Sequence, residues 1–174
     1  MKNKKVYLVL TQTYSGVART IKAITKKKYS HASLSLDRKC NKMYSFGRKY
    51  KYIPFYGVFK KEDLNKGLFK NKNACIAIYE IDVTEEQYNG IVEKIKRIKE
   101  KNRGYNIIGL LSAYFRIKLY RNKYYCSEFV YEVLSSSKVG VFDKNKVRFQ
   151  PEELVEKNFK KIFEGTIKDF LEYK

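Results

Sequence analysis

Two residues of this chain have the chemical types needed for nucleophilic catalysis: Cys126, within YYCSEFVYEVL (124–134), and His31, the single histidine, within YSHASLSLD (29–37). Cys126 lies at the predicted start of an amphipathic helix, where unpaired backbone N–H groups and the helix dipole stabilise an anion. Such a position can lower a thiol pKa from about 8.5 to below about 7.5, which yields the nucleophilic thiolate. The pair predicts a thiolate that attacks a carbonyl carbon, with the His31 imidazole as its base and the Cys126 amide as a first candidate oxyanion donor.

Each cysteine also has a structural interpretation. The predicted helix face of Cys126 continues through four apolar residues, Phe129, Val130, Val133 and Leu134, which would suit a buried packing thiol. Cys75 lies inside an apolar strand pattern and Cys40 in a polar turn, so packing and exposure are expected there. Three cysteines without CxxC spacing predict neither a disulfide framework nor a zinc site, and free thiols fit a reducing cytoplasm.

The first half of the chain predicts strands that would position His31. KVYLVLT (5–11) reads as a strand, and residues 15–28 then change to helical spacing. HASLSLD (31–37) and KMYSFG (42–47) alternate polar and apolar residues on either side of the break RKCNK, which predicts a hairpin that turns near Cys40. Residues 50–72 have a weak pattern, with one short strand expected near Tyr56–Phe59.

The second half supplies the predicted helices. ACIAIYEIDV (74–83) reads as a strand, and TEEQ (84–87) is a capping box that opens a helix closed by Gly104. Further helices are predicted over Ile107–Phe115, over residues 126–136 and, briefly, at PEEL (151–154). Residues 160–171 are predicted to form a strand. The order of these elements favours an α+β fold.

These motifs resemble the circularly permuted papain-like proteins of the NlpC-type superfamily, whose relatives include lecithin retinol acyltransferase-like enzymes. The stretches that carry the resemblance are YSHASLSLD (29–37), MYSFGRK (43–49) and YYCSEFVYEVL (124–134), supported by LTQTYSGVARTIK (10–22) and YNIIGLL (105–111). In that superfamily the histidine strand precedes the cysteine helix, as His31 precedes Cys126. The resemblance implies a single permuted papain-like domain over residues 1–174, with an antiparallel sheet packed against helices and the nucleophile at a helix N-terminus.

Carried over to this chain, the resemblance implies that Cys126 is the nucleophile and His31 the general base. A third, polar residue orients the histidine from the strand paired with the histidine strand. Ser45 is placed there, because a hairpin turning near Cys40 brings it opposite His31 on the same face. Asp37 and Tyr44 are alternatives for this role.

The implied function is a cysteine hydrolase that cleaves an amide or ester bond through an acyl-enzyme, as an amidase, peptidase or acyltransferase. The expected substrate is a cell-wall peptide or an N-acyl or lipid amide. No nucleotide-binding or metal-binding motif is present, so no cofactor and no metal are expected. The protein is expected in the cytoplasm, since the start of the chain lacks a signal-peptide core and no apolar run reaches membrane-spanning length.

Composition supplies a competing hypothesis. The chain has 38 Lys and Arg against 18 Asp and Glu, a formal charge of +20, which favours an anionic partner. An anionic membrane surface is therefore a candidate partner, whereas nucleic acid is not favoured for the enzyme. The alternative function is a basic module that binds nucleic acid or an anionic surface without catalysis.

Overall fold

The computed structural model describes residues 3–12, 28–48, 57–104, 125–140, 142 and 151–173. Six strands form one antiparallel sheet in the order β4-β3-β2-β1-β5-β6. The strands are β1 (Lys4–Thr11), β2 (His31–Ser35), β3 (Met43–Arg48), β4 (Gly57–Glu62), β5 (Cys75–Val83) and β6 (Lys160–Thr166). The two strands predicted for the β2–β3 hairpin are confirmed. Strand β4 extends three residues beyond the short strand expected near Tyr56–Phe59.

Three α-helices accompany the sheet in the described residues: α1 (Glu85–Gly104), α2 (Tyr125–Ser136) and α3 (Ile167–Tyr173). Short 3₁₀ helices cover Gly67–Phe69 and Pro151–Leu154. The α+β prediction is therefore confirmed. The helices predicted over residues 15–28 and 107–115 fall, apart from Lys28, outside the described residues. No helix within the described segments is long and apolar enough to cross a membrane.

Local side-chain signals fix where α1 begins. The backbone N–H of Gln87 donates to Thr84 Oγ1 at 3.1 Å, and the backbone N–H of Thr84 donates to Gln87 Oε1 at 2.9 Å. These two bonds satisfy donors that have no partner within the helix. The capping box predicted from TEEQ is therefore confirmed.

The prediction of one strand over residues 160–171 is wrong in its second half. The strand ends at Thr166, and α3 begins at the next residue. Thr166 and Asp169 form a second reciprocal cap: the Asp169 N–H donates to Thr166 Oγ1 at 3.1 Å, and the Thr166 N–H donates to Asp169 Oδ2 at 3.0 Å. Because this bonding pattern satisfies the first donors of a helix, it ends the strand and starts α3.

The sheet buries apolar side chains on both faces, as the alternation along β1 shows. Leu8 and Leu10 belong to a core beneath α1 and α2, whereas Tyr7 and Val9 belong to a core that includes Phe170 of α3. Alternate residues of a strand point to opposite faces, so one strand serves both cores. We call these the helix-side core and the opposite core. The central strand β2 is wholly buried between them.

Candidate active site

Helix α2 positions Cys126. Its buried residues Phe129, Val130, Val133 and Leu134 pack in the helix-side core, together with Ala32 and Leu34 of β2. This packing holds the helix against the sheet and places Cys126, its second residue, beside the start of β2. Cys126 as a residue is partly exposed. The backbones of Ala32 and Ser127 lie close enough to its sulfur to help lower the pKa of the thiol.

His31 is the first residue of β2 and pairs with Thr11 of β1. Strand alternation places its side chain on the face of Ser33, opposite to Ala32 and Leu34. The residue is 5% exposed, and its ring lies 6.2 Å from the ring of Phe69. Because His31 begins the strand, the start of α2 can reach its ring past the strand end.

Glu62, the last residue of β4, lies against the far side of the His31 ring. Its Oε1 and Oε2 atoms lie 3.0 and 3.2 Å from His31 Nε2, and Ser33 Oγ donates to Oε2 at 2.5 Å. The residue is 7% exposed. A carboxylate buried this deeply is stable when it is paired and hydrogen-bonded, and both conditions hold here.

Cys126, His31 and Glu62 form one continuous network. The His31 ring and the Cys126 thiol lie close enough to interact by hydrogen bonding and by charge, and each shifts the pKa of the other. Since Nε2 faces Glu62, and each ring N–H points in a single direction, Nδ1 is the nitrogen that faces the thiol. The imidazole therefore stands between a thiol and a carboxylate.

The electrostatics of the network favour charge separation. Burial alone would lower the pKa of His31, but the negative charges of Glu62 and Cys126 outweigh it and hold that pKa well above its ordinary value. Burial would raise the pKa of Cys126, but the hydrogen bond and charge of His31, with the Ala32 and Ser127 backbone, lower it instead. The two directions together favour a thiolate beside an imidazolium.

The same balance applies to Glu62. Burial would raise the pKa of this carboxyl, but the positive charge and hydrogen bond of His31, followed by the Ser33 and Ser45 hydroxyls, lower it. Glu62 is thus ionised near neutral pH. An ionised acceptor at Nε2 fixes the ring orientation and stabilises the imidazolium.

The structure brings the two main predicted residues together and corrects the third. Cys126 and His31 lie close enough for each to shift the pKa of the other. Ser45 does not lie opposite His31, because the register pairs Leu34 with Tyr44 and therefore places Ser45 level with Ser33. Its hydroxyl is fully buried and makes no hydrogen bond of normal geometry within the described residues, although it faces Glu62 closely enough to help lower that pKa.

Neither alternative for the third residue contacts His31 in the described hydrogen bonds and ring contacts. The carboxylate of Asp37 accepts the backbone N–H groups of Asn41 at 3.1 Å and Lys42 at 2.6 Å, so it closes the hairpin turn. Tyr44 lies on the other face of β3, where its ring stacks on Phe59 at 5.7 Å. The side chain that lies against His31 Nε2 is that of Glu62.

Sequence reasoning missed Glu62 because it treated residues 50–72 as irregular apart from the short strand near Phe59. A signal was available in GVFKKE (57–62), which pairs with β3 from Arg48–Gly57 to Met43–Glu62. Extending the hairpin pattern by one more strand would have placed Glu62 on the face of Met43 and Ser45. A carboxylate on that buried face needs a partner, and His31 is the only histidine of the chain.

A search for metal ligands and comparisons with known proteins bear on this site. Within the described segments, no group of three or more His, Cys, Asp and Glu side chains could hold a metal ion. The chain matches no protein-family model, no curated protein and no solved structure. The function has to follow from the geometry of Cys126, His31 and Glu62 themselves.

Proposed function

We propose that this protein is a cysteine hydrolase or acyltransferase in which Cys126 is the nucleophile, His31 the general base and acid, and Glu62 the residue that orients His31. The observation that carries the proposal is the continuous network from the partly exposed Cys126 through the buried His31 ring to the buried Glu62 carboxylate. A nucleophile beside a base that is held by a third group is the general signature of nucleophilic catalysis. A core thiol would need neither the imidazole nor the buried acid.

The first half of the proposed reaction forms an acyl-enzyme. The Cys126 thiolate attacks the carbonyl carbon of an amide or ester, and the electron pair of the C=O bond moves to oxygen. Backbone N–H groups at the start of α2 are suited to stabilise that oxyanion. As the tetrahedral intermediate collapses, the C–N or C–O bond breaks, His31 Nδ1–H protonates the leaving group, and a thioester with Cys126 remains.

The second half releases the acyl group. Neutral His31 takes a proton from water, or from a second acceptor hydroxyl or amine, as that nucleophile attacks the thioester carbonyl. The carbon–sulfur bond then breaks, and the thiolate–imidazolium pair forms again. Glu62 keeps Nε2 as the donor nitrogen throughout, so that Nδ1 always faces the sulfur.

We extend the proposal to the fold family and to the class of substrate. A histidine strand that precedes the cysteine helix, and a helix packed on the sheet, support a permuted papain-like fold of the NlpC type. That likeness supports an amide or ester substrate such as a cell-wall peptide or an N-acyl or lipid amide. The charge of +20 favours an anionic substrate or surface.

A basic binding module without catalysis is the alternative that the same charge favours. Phosphate binding of this kind weakens steeply as salt rises, and it would survive Cys126→Ala. This network distinguishes the two hypotheses, since electrostatic binding of an anionic surface does not require a cysteine beside a histidine that is paired with a buried carboxylate.

The test uses an activated acyl ester, p-nitrophenyl acetate, because it requires no knowledge of the natural substrate. We expect a burst of nitrophenolate and one acetyl group on Cys126, detected by peptide mass spectrometry. Cys126→Ala should abolish both, and His31→Ala should slow acylation at least about a hundredfold. Cys75→Ala is the matched control, because Cys75 is also partly exposed but has no contact with His31 in the described residues.

Two results would contradict the proposal. One is acetylation of Cys126 no faster than that of Cys75 between pH 5 and 9. The other is an acylation rate that His31→Ala leaves unchanged. Circular dichroism on each variant separates a chemical effect from unfolding.

A further inference from the structure

The Glu62 carboxylate is surrounded by hydroxyl groups that the reaction steps above do not use. Ser33 Oγ donates to Oε2 at 2.5 Å, and Ser33 is fully buried. Ser45, on the neighbouring strand β3, is also fully buried and lies level with Ser33, which brings its hydroxyl toward the same carboxylate. Ser33 and Ser45 thus approach Glu62 from two strands, while His31 approaches it from the start of β2.

Buried hydroxyls without a partner are costly, so their positions are informative. In the described residues, two buried hydroxyls have no hydrogen-bond partner at normal geometry: Ser45 Oγ and Thr11 Oγ1. Thr11 pairs with His31 across β1 and β2 but has no described contact with Glu62. Ser45 differs from Thr11 in facing an anion that can accept a hydrogen bond from its hydroxyl.

From this arrangement we infer that Ser33 and Ser45 are positioning residues, whose hydroxyls keep Glu62 ionised and aimed at His31 Nε2 through the reaction. The inference rests on the proposed function, since it assigns a role within the same site. Ser33 is the donor already bonded to Glu62, and Ser45 is the second hydroxyl available to the same carboxylate.

The need for two donors follows from the proton transfers. While His31 is an imidazolium, its positive charge stabilises the buried Glu62 carboxylate. Once His31 has given its proton to the leaving group, that charge is gone and the carboxylate is left in a poorly solvated site. Hydroxyl donors from Ser33 and Ser45 then hold it ionised, so Nε2–H keeps its acceptor and the ring does not turn.

The groups that face Glu62 are few enough for a clean titration. His31 and Ser33 face it from β2 and Ser45 faces it from β3, while Cys126 of α2 acts through His31. Its chain neighbours Lys61 and Asp63 are exposed. Protonation of Glu62 at acid pH should therefore be sensed mainly by the His31 ring.

The experiment records the His31 ring protons by NMR as pH is varied. Because the chain contains one histidine, its Cε1–H resonance needs no assignment. In the wild type, the resonance should show an acid inflection from Glu62. Ser33→Ala should move that inflection upward by about one pH unit, and Ser45→Ala should move it upward by less. The rate at which iodoacetamide alkylates Cys126 should fall at low pH, over the same pH range as the inflection.

Two controls separate positioning from general packing. Ser35→Ala removes an equally buried hydroxyl of β2, which donates to the Asp37 carbonyl at 2.8 Å instead of to Glu62. Thr11→Val removes the other orphaned hydroxyl. Both should leave the acid inflection at its wild-type pH. Ser33→Thr keeps the hydroxyl and should restore the wild-type inflection, which guards against a fold lost in Ser33→Ala.

An unshifted inflection in either serine variant overturns the role assigned to that residue. Equal shifts in Ser35→Ala or Thr11→Val overturn the inference as a whole, since the effect would then be one of packing. The proposed function fails by a different result, namely a wild-type Cys126 that is alkylated with the pH dependence of an ordinary thiol.

Discussion

Two carboxylates of this protein have similar partners in different surroundings. Glu62 lies beside His31 and accepts a hydrogen bond from Ser33. Glu164 of β6 accepts Lys28 Nζ and Lys161 Nζ, each at 2.6 Å, and the Tyr29 hydroxyl at 2.9 Å. Each carboxylate thus has a basic side chain and a hydroxyl as partners. Glu62 is 7% exposed, whereas the Glu164 side chain is 34% exposed.

The pKa of both carboxyls is lowered, but the largest influence on that pKa differs between them. Burial is the largest influence on Glu62 and opposes ionisation, so the His31 contact has to overcome it. For Glu164 the hydrogen bonds of Lys161, Lys28 and Tyr29 come first, and they lower its pKa to about 2. Water screens an exposed ion pair and solvates each partner when the other is removed. Water can therefore replace a lost partner at Glu164, whereas it can hardly do so at Glu62.

The largest effect is expected from Glu62 variants. Glu62→Ala should slow acylation of Cys126 about a thousandfold, because the His31 ring loses the acceptor that orients it. Glu62→Gln keeps an acceptor oxygen but no charge, so a loss of about tenfold is expected. Acylation rates with p-nitrophenyl acetate measure both values. Equal losses in the two variants would show that charge, rather than orientation, is the contribution of Glu62.

A shift in pH dependence is the next largest effect. The raised pKa of His31 means that the imidazolium needed to protonate the leaving group is present at neutral pH and lost as pH rises through that value. Removing the negative charge in Glu62→Gln should lower the His31 pKa, so the alkaline limb of acylation by an anilide, whose amine leaving group needs that proton, moves to lower pH. NMR titration of the single histidine checks the direction, and a limb that moves upward would contradict the assignment.

Glu152 offers an intermediate case between the two carboxylates. Its Oε1 accepts the backbone N–H groups of Lys28 at 2.8 Å and Tyr29 at 3.1 Å, just before His31 begins β2. Glu152→Ala should lower the free energy of unfolding by about 1–2 kcal/mol and slow acylation several-fold, because the start of β2 is held less firmly. Glu152→Gln keeps the acceptor and should recover most of both, as urea unfolding and acylation rates would show. Recovery of neither would assign the effect to the lost charge.

The smallest effect is expected from Glu164→Gln. This change should lower the free energy of unfolding by about 1 kcal/mol or less, with the difference shrinking as salt is added. Its contribution is present above pH about 4.5 and is lost as pH falls toward about 2, since the folded-state pKa is the lowered one. Acylation of Cys126 should be unchanged. A large loss of acylation would show that the exposed cluster and the candidate site are coupled.

Sequence patterns predicted the features that depend on neighbouring residues. The capping box of Thr84 and Gln87 is decided within four residues, so its bonds follow from the local sequence. The β2–β3 hairpin and helix α2 follow from apolar periodicity in the same way. The cap formed by Thr166 and Asp169 is also local, and the start of α3 could have been predicted from it.

The sequence by itself determined that Cys126 begins an amphipathic helix and that His31 is the one imidazole it can use. Tertiary structure decided that the two side chains meet, and that Glu62, rather than Ser45, holds the ring. The physical reason is strand register, since a shift of two residues moves a side chain roughly 7 Å along the sheet. That shift brings Ser45 level with Ser33, and the side chain that reaches Nε2 comes from the end of β4.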